Sequence, residues 1–128
     1  MVLIGCSFCD VDKEDIILEH DYVFAIYDNY PVTEGHMLVI PKFHNEKYFN
    51  SCLKSMLWSM IDRCKLHLDK EYSPDGYNIG INIGEAAGQT VDHFHIHVIP
   101  RYEGDMDNPE GGVRGVIPGK QKYKEVIN

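Results

Sequence analysis

The sequence predicts an α+β domain in which a mostly antiparallel sheet packs against one long helix. Several short segments are rich in β-branched and aromatic residues and are closed by Gly, Pro, Asn or Asp, as strands usually are. One stretch, residues 49–72, instead repeats its apolar side chains every three or four positions, which is the spacing of an amphipathic helix. The 128 residues show no internal repeat or linker, so we expect a single domain over residues 1–128.

Two strands are predicted in the first third of the chain. Residues 22–27 form an aromatic and β-branched run that is closed by the turn residues 28–31. Residues 36–40 form the second run, which Pro41 ends because proline lacks the N–H of a strand ladder. The short connection through Gly35 predicts that the two strands are joined as a hairpin.

The helix is expected from about Phe49 to Tyr72, with Asn50 or Ser51 as its N-cap and residues 73–76 as its end. Its apolar face consists of residues at three- and four-residue spacing: Leu53, Met56, Leu57, Met60, Ile61, Cys64 and Leu68. Cys64 is interpreted as a small buried residue of this face and Cys52 as structural.

A third strand is predicted where residues 77–83 alternate between apolar and polar or small side chains, and a glycine-containing loop follows at residues 84–89. After Arg101 the chain is rich in Gly and Pro up to about Gly119. We therefore expect an irregular C-terminal tail from about residue 104.

Composition excludes several classes of protein. The formal charge of −8, from 12 Lys and Arg against 20 Asp and Glu, argues against a nucleic-acid partner. No stretch approaches the roughly 20 apolar residues of a membrane helix, and the N-terminus lacks the features of a signal peptide. We expect a cytoplasmic protein without membrane association, in which four cysteines indicate metal binding or free thiols before disulfides.

A histidine-rich segment at residues 89–100 has the greatest chemical interest. His93, His95 and His97 alternate with apolar residues in a run that reads as a strand. Neighbours of this kind share one face and lie about 6–7 Å apart. Imidazoles near neutral pH can act as general acid, nucleophile or metal ligand. Gly84 and Gly88 flank a short turn whose backbone amides could face an anion, and Thr90 adds a hydroxyl donor.

Cys6-x-x-Cys9 has the spacing of two thiolates on one tetrahedral zinc. His44 and His93 are candidates for the remaining two ligands. A redox dithiol or two unrelated thiols are the alternatives, although the βαβ pattern of a thioredoxin-like site is absent from the sequence.

Asp28 and Asn82 are polar residues at or near strand ends. A carboxylate at such a position could accept hydrogen bonds from sugar hydroxyls, and a turn-capping role is an equal alternative. His20 and His67 have no evident partners in the sequence and are interpreted as surface residues.

Residues 88–99 (GQTVDHFHIHVI) resemble the signature of the histidine triad nucleotide-binding family, in which three histidines alternate with apolar residues. Residues 35–44 (GHMLVIPKFH) and 27–31 (YDNYP) are also similar to family segments. The resemblance covers roughly residues 6–103 and implies a five-stranded antiparallel sheet with one long helix, in a homodimer whose sheets join across the interface.

The resemblance also implies roles for individual residues. His95 would be the nucleophile that forms a covalent nucleotidyl intermediate, and His97 would contact the phosphate or assist the leaving group. Phosphate oxygens would be held by Thr90 and by the Gly88-Gln89 backbone. Asp28 would bind the ribose hydroxyls and Asn82 a bridging or phosphate oxygen, with Phe8 and Ile26 as weaker candidates for contact with a purine base.

Some branches of the family carry a structural zinc, and the matching ligands here would be Cys6, Cys9, His44 and His93. No organic cofactor is implied.

The preferred function is hydrolysis at the α-phosphorus of a dinucleoside polyphosphate or a related adenylylated compound, since residues 100–105 resemble the dinucleoside-polyphosphate hydrolase branch. Residues 111–118, however, resemble bacterial-type members and do not assign a substrate. The alternatives are a purine nucleoside phosphoramidase, a hydrolase with catalytic zinc on the three histidines, and a nucleotide-binding protein without turnover.

Overall fold

A computed structural model describes residues 6–44 and 51–122 of the chain. Its strands are β1 (Ile16–Glu19), β2 (Val23–Tyr27), β3 (Met37–Pro41), β4 (Gly76–Gly80) and β5 (Ile96–Arg101), and its long helix is α1 (Ser51–Tyr72). Short 3-10 turns cover Lys13–Asp15, Glu85–Ala87 and Gly112–Val116.

The five strands form one sheet in the order β1-β2-β3-β5-β4, and each neighbouring pair is antiparallel. This architecture confirms the predicted α+β class, the five-stranded sheet with one long helix, and the hairpin between β2 and β3. Beyond Arg101 the described residues contain only the turn Gly112–Val116, as expected for an irregular tail. The predicted cap residue Asn50 and the predicted helix start at Phe49 lie outside the described residues.

Two strands of the sheet differ from the prediction. The sequence analysis missed β1, whose four residues are all partly or fully exposed and therefore show no alternating pattern. The third predicted strand, residues 77–83, corresponds to β4, but β4 ends at Gly80. Its partner β5 pairs Gly80 with His97, which is only one residue beyond the start of β5, so the ladder stops there.

The sheet has two buried faces. One packs against α1 and contains most of the core, including the predicted apolar helix face. The opposite face carries a smaller cluster of Phe24, Ile26, Leu38 and Ile40, against which Phe8, Val11 and Ile16 pack. The N-terminal segment therefore covers the sheet on the side away from the helix.

Gly35 brings the chain close to the end of α1 just before β3 begins. Its φ is +92°, and a Cβ atom there would lie 3.1 Å from side-chain atoms of Leu68 and of Tyr72. We expect Gly35→Ala to lower the free energy of unfolding by about 2–4 kcal/mol, because it combines left-handed strain with overpacking. Gly104→Ala is the matched control, since φ there is +85° and no atom lies within 4 Å. Equal losses for both variants in urea denaturation would contradict the packing argument.

Candidate functional site

The three histidines lie on the sheet face opposite α1. The apolar residues that alternate with them are buried in the core on the helix side: Phe94, Ile96 and Val98. The prediction that His93 and His95 belong to the strand is wrong, because β5 begins at Ile96 and contains only His97. The β3–β5 ladder ends at the pair Val39 and Ile96. The alternation of faces nevertheless continues through this irregular segment.

Cys6, Cys9, His44 and His93 converge on one point, with one ligand atom from each lying within 4.8 Å of all the others. The Sγ atoms of Cys6 and Cys9 are both 3.5 Å from His93 Nδ1, and Cys9 Sγ is 3.4 Å from His44 Nδ1. A tetrahedral zinc with ordinary Zn–S and Zn–N bond lengths places its S and N ligands about 3.6 Å apart. The residues therefore fit a zinc ion.

The hydrogen bonding of His93 also fits a metal ligand. Its Nε2 lies 2.8 Å from the carbonyl oxygen of Pro41, which can only accept, so Nε2 carries the proton and Nδ1 presents a lone pair to the cysteines. Burial raises the pKa of the Cys6 thiol. Its thiolate therefore needs nearby positive charge, which a bound cation supplies.

The same reasoning fixes the tautomer of His95. Its Nδ1 lies 2.8 Å from the carbonyl oxygen of His93 and must donate to it. Nε2 of neutral His95 is then left with a free lone pair, which is the form that a nucleophilic imidazole requires. His95 lines a cavity of about 650 Å³. The carbonyl of a candidate metal ligand thus orients the candidate nucleophile.

His36 is a candidate functional residue that the sequence analysis treated only as part of a strand. The backbone N–H of Val32 donates to His36 Nδ1 at 3.1 Å, so the proton of neutral His36 is on Nε2. That Nε2–H lies 2.9 Å from His97 Nδ1, which accepts it. Neutral His97 therefore carries its own proton on Nε2 and can donate it to a ligand.

Asp28 lies beside this pair of histidines. Its Oδ2 is 3.4 Å from His36 Nε2 and 4.0 Å from His97 Nδ1, while its Oδ1 accepts the N–H of Tyr30 at 2.9 Å. Asp28, His36 and His97 are close enough to suggest a second metal site. The hydrogen bond from Val32 argues against it, because Nε2 of His36 can ligate a metal only if the ring becomes an anion.

The cavity brings together most of the substrate-binding residues that the sequence predicted. Its lining includes Asp28, Asn82, Gly88, Thr90, His95 and His97, and also Phe8 and Ile26. Gln89 does not line the cavity but ties the preceding loop: its Oε1 accepts the N–H of Gly84 at 2.8 Å, and its Nε2 donates to Val91 O at 3.1 Å.

The predicted anion-binding turn differs from the observed loop. The N–H of Gly88 donates to Glu85 O at 2.9 Å, and the N–H of Gln89 donates to Gly84 O at 3.2 Å. Both amides are used within the loop and do not face an anion in this conformation. The hydroxyl of Thr90 and the amide side chain of Asn82 remain the polar candidates on this side of the cavity.

The charges of the cavity are unusual for a site that takes phosphates. Four aspartates line it, Asp10, Asp12, Asp15 and Asp28, and its described lining contains no Lys or Arg. A polyanionic ligand would meet negative side chains there without a compensating cation from the lining.

The remaining cysteines and histidines have structural places. Cys64 is buried in the core, as predicted, whereas Cys52, interpreted from sequence as structural, is exposed on α1. His20 is exposed, but the interpretation of His67 as a surface residue is wrong, since it is half-buried and its Nε2 lies 2.8 Å from the hydroxyl of Tyr27.

Burial, together with the neighbouring His95 and His36, lowers the pKa of His97 to about 4, although the charge of Asp28 acts in the opposite direction. The pKa of a histidine in the unfolded chain is near 6.5. Between pH 6.5 and 4, His97 is therefore mostly protonated in the unfolded chain and mostly neutral in the folded chain. Stability is therefore lost as the pH falls below 6.5. We expect wild type to lose about 2 kcal/mol relative to His97→Asn between pH 7 and pH 5. An equal change in the free energy of unfolding between pH 7 and pH 5 in both proteins would contradict this assignment.

Within residues 6–44 and 51–122, no helix combines the length and the apolar character needed to cross a bilayer.

Comparison with known proteins points to one family. A model of the HIT domain matches residues 10–104. An uncharacterized HIT-like protein of Methanocaldococcus jannaschii is 41% identical over 106 residues, covering 78% of this chain and 81% of that protein. The adenosine 5'-monophosphoramidase of Saccharomyces cerevisiae is 37% identical over 101 residues, covering 76% of this chain and 63% of the yeast protein.

Among solved structures, a zinc-bound histidine triad family protein of Mycobacterium smegmatis is similar to the chain with a TM-score of 0.72 and 35% identity. The similarity covers 80% of this chain and 78% of that one. The fold, the order of the histidines and the domain match lead to the same conclusion. The chain belongs to the histidine triad (HIT) family.

Proposed function

We propose that the chain is a hydrolase that cleaves a purine nucleotide derivative at its α-phosphorus through a nucleotidyl intermediate on His95. The observation that carries this proposal is the tautomer of His95. Because Nδ1–H donates to the carbonyl of His93, the Nε2 lone pair is available in the cavity. Family membership supports nucleotide hydrolysis at a coarser level.

In the first step, Nε2 of His95 forms a bond to the α-phosphorus, the bond to the leaving group breaks with its electron pair, and an amine leaving group takes up a proton from solvent. Nε2–H of His97 donates a hydrogen bond to a phosphate or leaving-group atom. In the second step, water attacks the phosphorus and the P–N bond breaks, which returns the electron pair to His95. The product is a nucleoside monophosphate, and the proton of the water is released to solvent.

The charges of the cavity favour an amine leaving group, as in a nucleoside phosphoramidate, over a second nucleotide joined by a polyphosphate. Four aspartates without a described cationic partner repel a polyphosphate and attract a substrate with a positive group. The yeast relative is an adenosine 5'-monophosphoramidase, which supports the same choice. A dinucleoside polyphosphate, the substrate preferred from sequence, is the second candidate and is expected to require a divalent cation as counter-charge.

Steady-state kinetics on an AMP-lysine-type phosphoramidate and on a diadenosine polyphosphate with magnesium would separate the two candidates. We expect a higher kcat/KM for the phosphoramidate, and rapid quench followed by mass spectrometry should detect an AMP adduct on His95. Tight AMP binding with no turnover of either substrate would instead support the non-catalytic alternative.

Cys6, Cys9, His44 and His93 would hold a zinc ion whose contribution is structural, because it cross-links the N-terminal segment to the sheet. We expect Cys9→Ser to lower the melting temperature by about 10 °C, the effect of a loss of roughly 2–4 kcal/mol in a domain of this size. Turnover at saturating substrate should remain measurable. Cys52→Ser, a thiol removed from an exposed helix position, is the control and should melt as wild type does. Complete loss of chemistry on chelation would instead favour a catalytic metal.

A homodimer, expected from the family resemblance, is also proposed. β1 and β4 are the edges of the sheet. A bulge interrupts β1, whereas β4 pairs regularly along its length and leaves a regular edge for another strand. Light scattering after size exclusion should give twice the chain mass of 14.7 kDa.

A further inference from the structure

The loop that carries the two cysteines also forms one wall of the nucleotide cavity. Cys6 and Cys9 belong to the candidate metal site. The residues between and after them line the cavity: Ser7, Phe8, Asp10, Val11 and Asp12. One short segment of chain therefore serves both the metal and the ligand.

Phe8 is a direct side-chain contact between the two sites, in addition to the hydrogen bond from His95 Nδ1 to His93 O. Its ring lies edge-on to His93, a candidate metal ligand, with centroids 6.0 Å apart, and edge-on to His95, the candidate nucleophile, at 5.0 Å. It also packs against the apolar cluster on the sheet face that forms the base of the cavity. The cysteine loop sets the position of this ring, and the ring in turn would contact a ligand in the cavity.

The cysteine loop has little regular structure of its own. In the described chain, residues 6–12 belong to no helix or strand, and the backbone hydrogen bond from Cys9 N–H to Cys6 O is internal to the loop. Its position depends on the packing of Phe8 and Val11, and a metal on the four candidate ligands would also join Cys6 and Cys9 to residues of the sheet side. Without the metal, the loop must be ordered when the ligand binds, which weakens binding.

We propose that metal binding and nucleotide binding are thermodynamically linked, with Phe8 as the positioning residue that couples them. Removing zinc should weaken AMP binding by about 10- to 100-fold, the usual range of such coupling. Because linkage is reciprocal, AMP should tighten zinc binding by the same factor. The inference rests on the proposed nucleotide site.

Calorimetric titration of AMP into zinc-loaded and metal-free protein tests the coupling. Weaker binding to the metal-free form supports it, and equal affinity overturns it. No AMP binding by the zinc-loaded protein would overturn the proposed function itself, so the two failures are distinguishable. Phe8→Ala should bring the ratio of the two affinities close to one. Tyr30→Ala removes another aromatic residue of the same cavity that lies outside the cysteine loop, and the ratio should be retained.

A second measurement covers the case in which metal-free protein loses its fold, which circular dichroism would reveal. Zinc affinity is measured by chelator competition at increasing AMP. The measured quantity is the ratio of zinc affinity with AMP to zinc affinity without AMP. If metal-free protein still binds AMP weakly, this ratio levels off at the coupling factor in wild type and stays close to one in Phe8→Ala. A gain that rises in proportion to AMP, alike in both proteins, would overturn the role of Phe8.

Discussion

Replacing His95 with Ala is expected to lower the turnover of a nucleoside phosphoramidate by at least about 10³-fold, because the chain loses the atom that attacks phosphorus. Nε2 of His95 is the only protein atom in the proposed mechanism that forms a covalent bond to phosphorus. His97 can still donate to the phosphate in this variant, but no second group replaces the nucleophile. The measurement is the rate constant of substrate cleavage under single-turnover conditions, together with mass spectrometry for the AMP adduct.

His95 is buried, with 8% of its surface exposed, so its removal could also disturb the cavity. His95→Asn controls for this effect. The Asn side-chain amide can replace the donor of Nδ1, which binds His93 O, but it has no nucleophilic counterpart of Nε2. Both variants should bind AMP and both should be inactive. A rate near that of wild type in either variant would falsify the covalent mechanism.

The candidate metal site could be predicted from sequence because two of its four ligands lie in one short motif. The Cys6-x-x-Cys9 spacing suits two thiolates on one tetrahedral zinc, and the family resemblance supports His44 and His93 as the other two ligands. The structure then adds what spacing does not contain, namely the carbonyl of Pro41 that fixes the proton of His93. Proton positions depend on contacts between distant segments, so the pattern of residues does not encode them.

His36 shows the opposite case. In the sequence it is one histidine at the start of a strand, and nothing nearby marks it. The role proposed for it arises because β3 pairs with β5, with Leu38 opposite His97, and this pairing places two histidines from distant segments side by side. The sequence predicted both strands but not that they are neighbours. The strand boundaries failed for a similar reason, since the pattern of alternating residues continues past the point where hydrogen bonding stops.

His36→Leu is expected to lower kcat by about 10²-fold with little change in KM. His36 lies behind His97 and does not line the cavity, so it acts as a positioning residue. Its Nε2–H holds His97 in the tautomer that donates from Nε2. Without it, Nδ1 of His97 is left without this donor, and the proton can move to the wrong nitrogen. Loss of a charged orienting partner costs about 10⁴-fold in serine proteases, and a neutral partner should cost less.

His36→Gln separates orientation from packing. The Gln amide can place an N–H close to the position of His36 Nε2, whereas Leu fills similar space without a donor. Partial recovery of kcat in the Gln variant, with both variants equally stable to urea, would establish that the hydrogen bond to His97 matters. If Leu and Gln lower kcat equally, the role of His36 is packing. If kcat is unchanged in both, the tautomer of His97 does not limit the reaction, and the phosphate must be held chiefly by other groups such as Thr90 and Asn82.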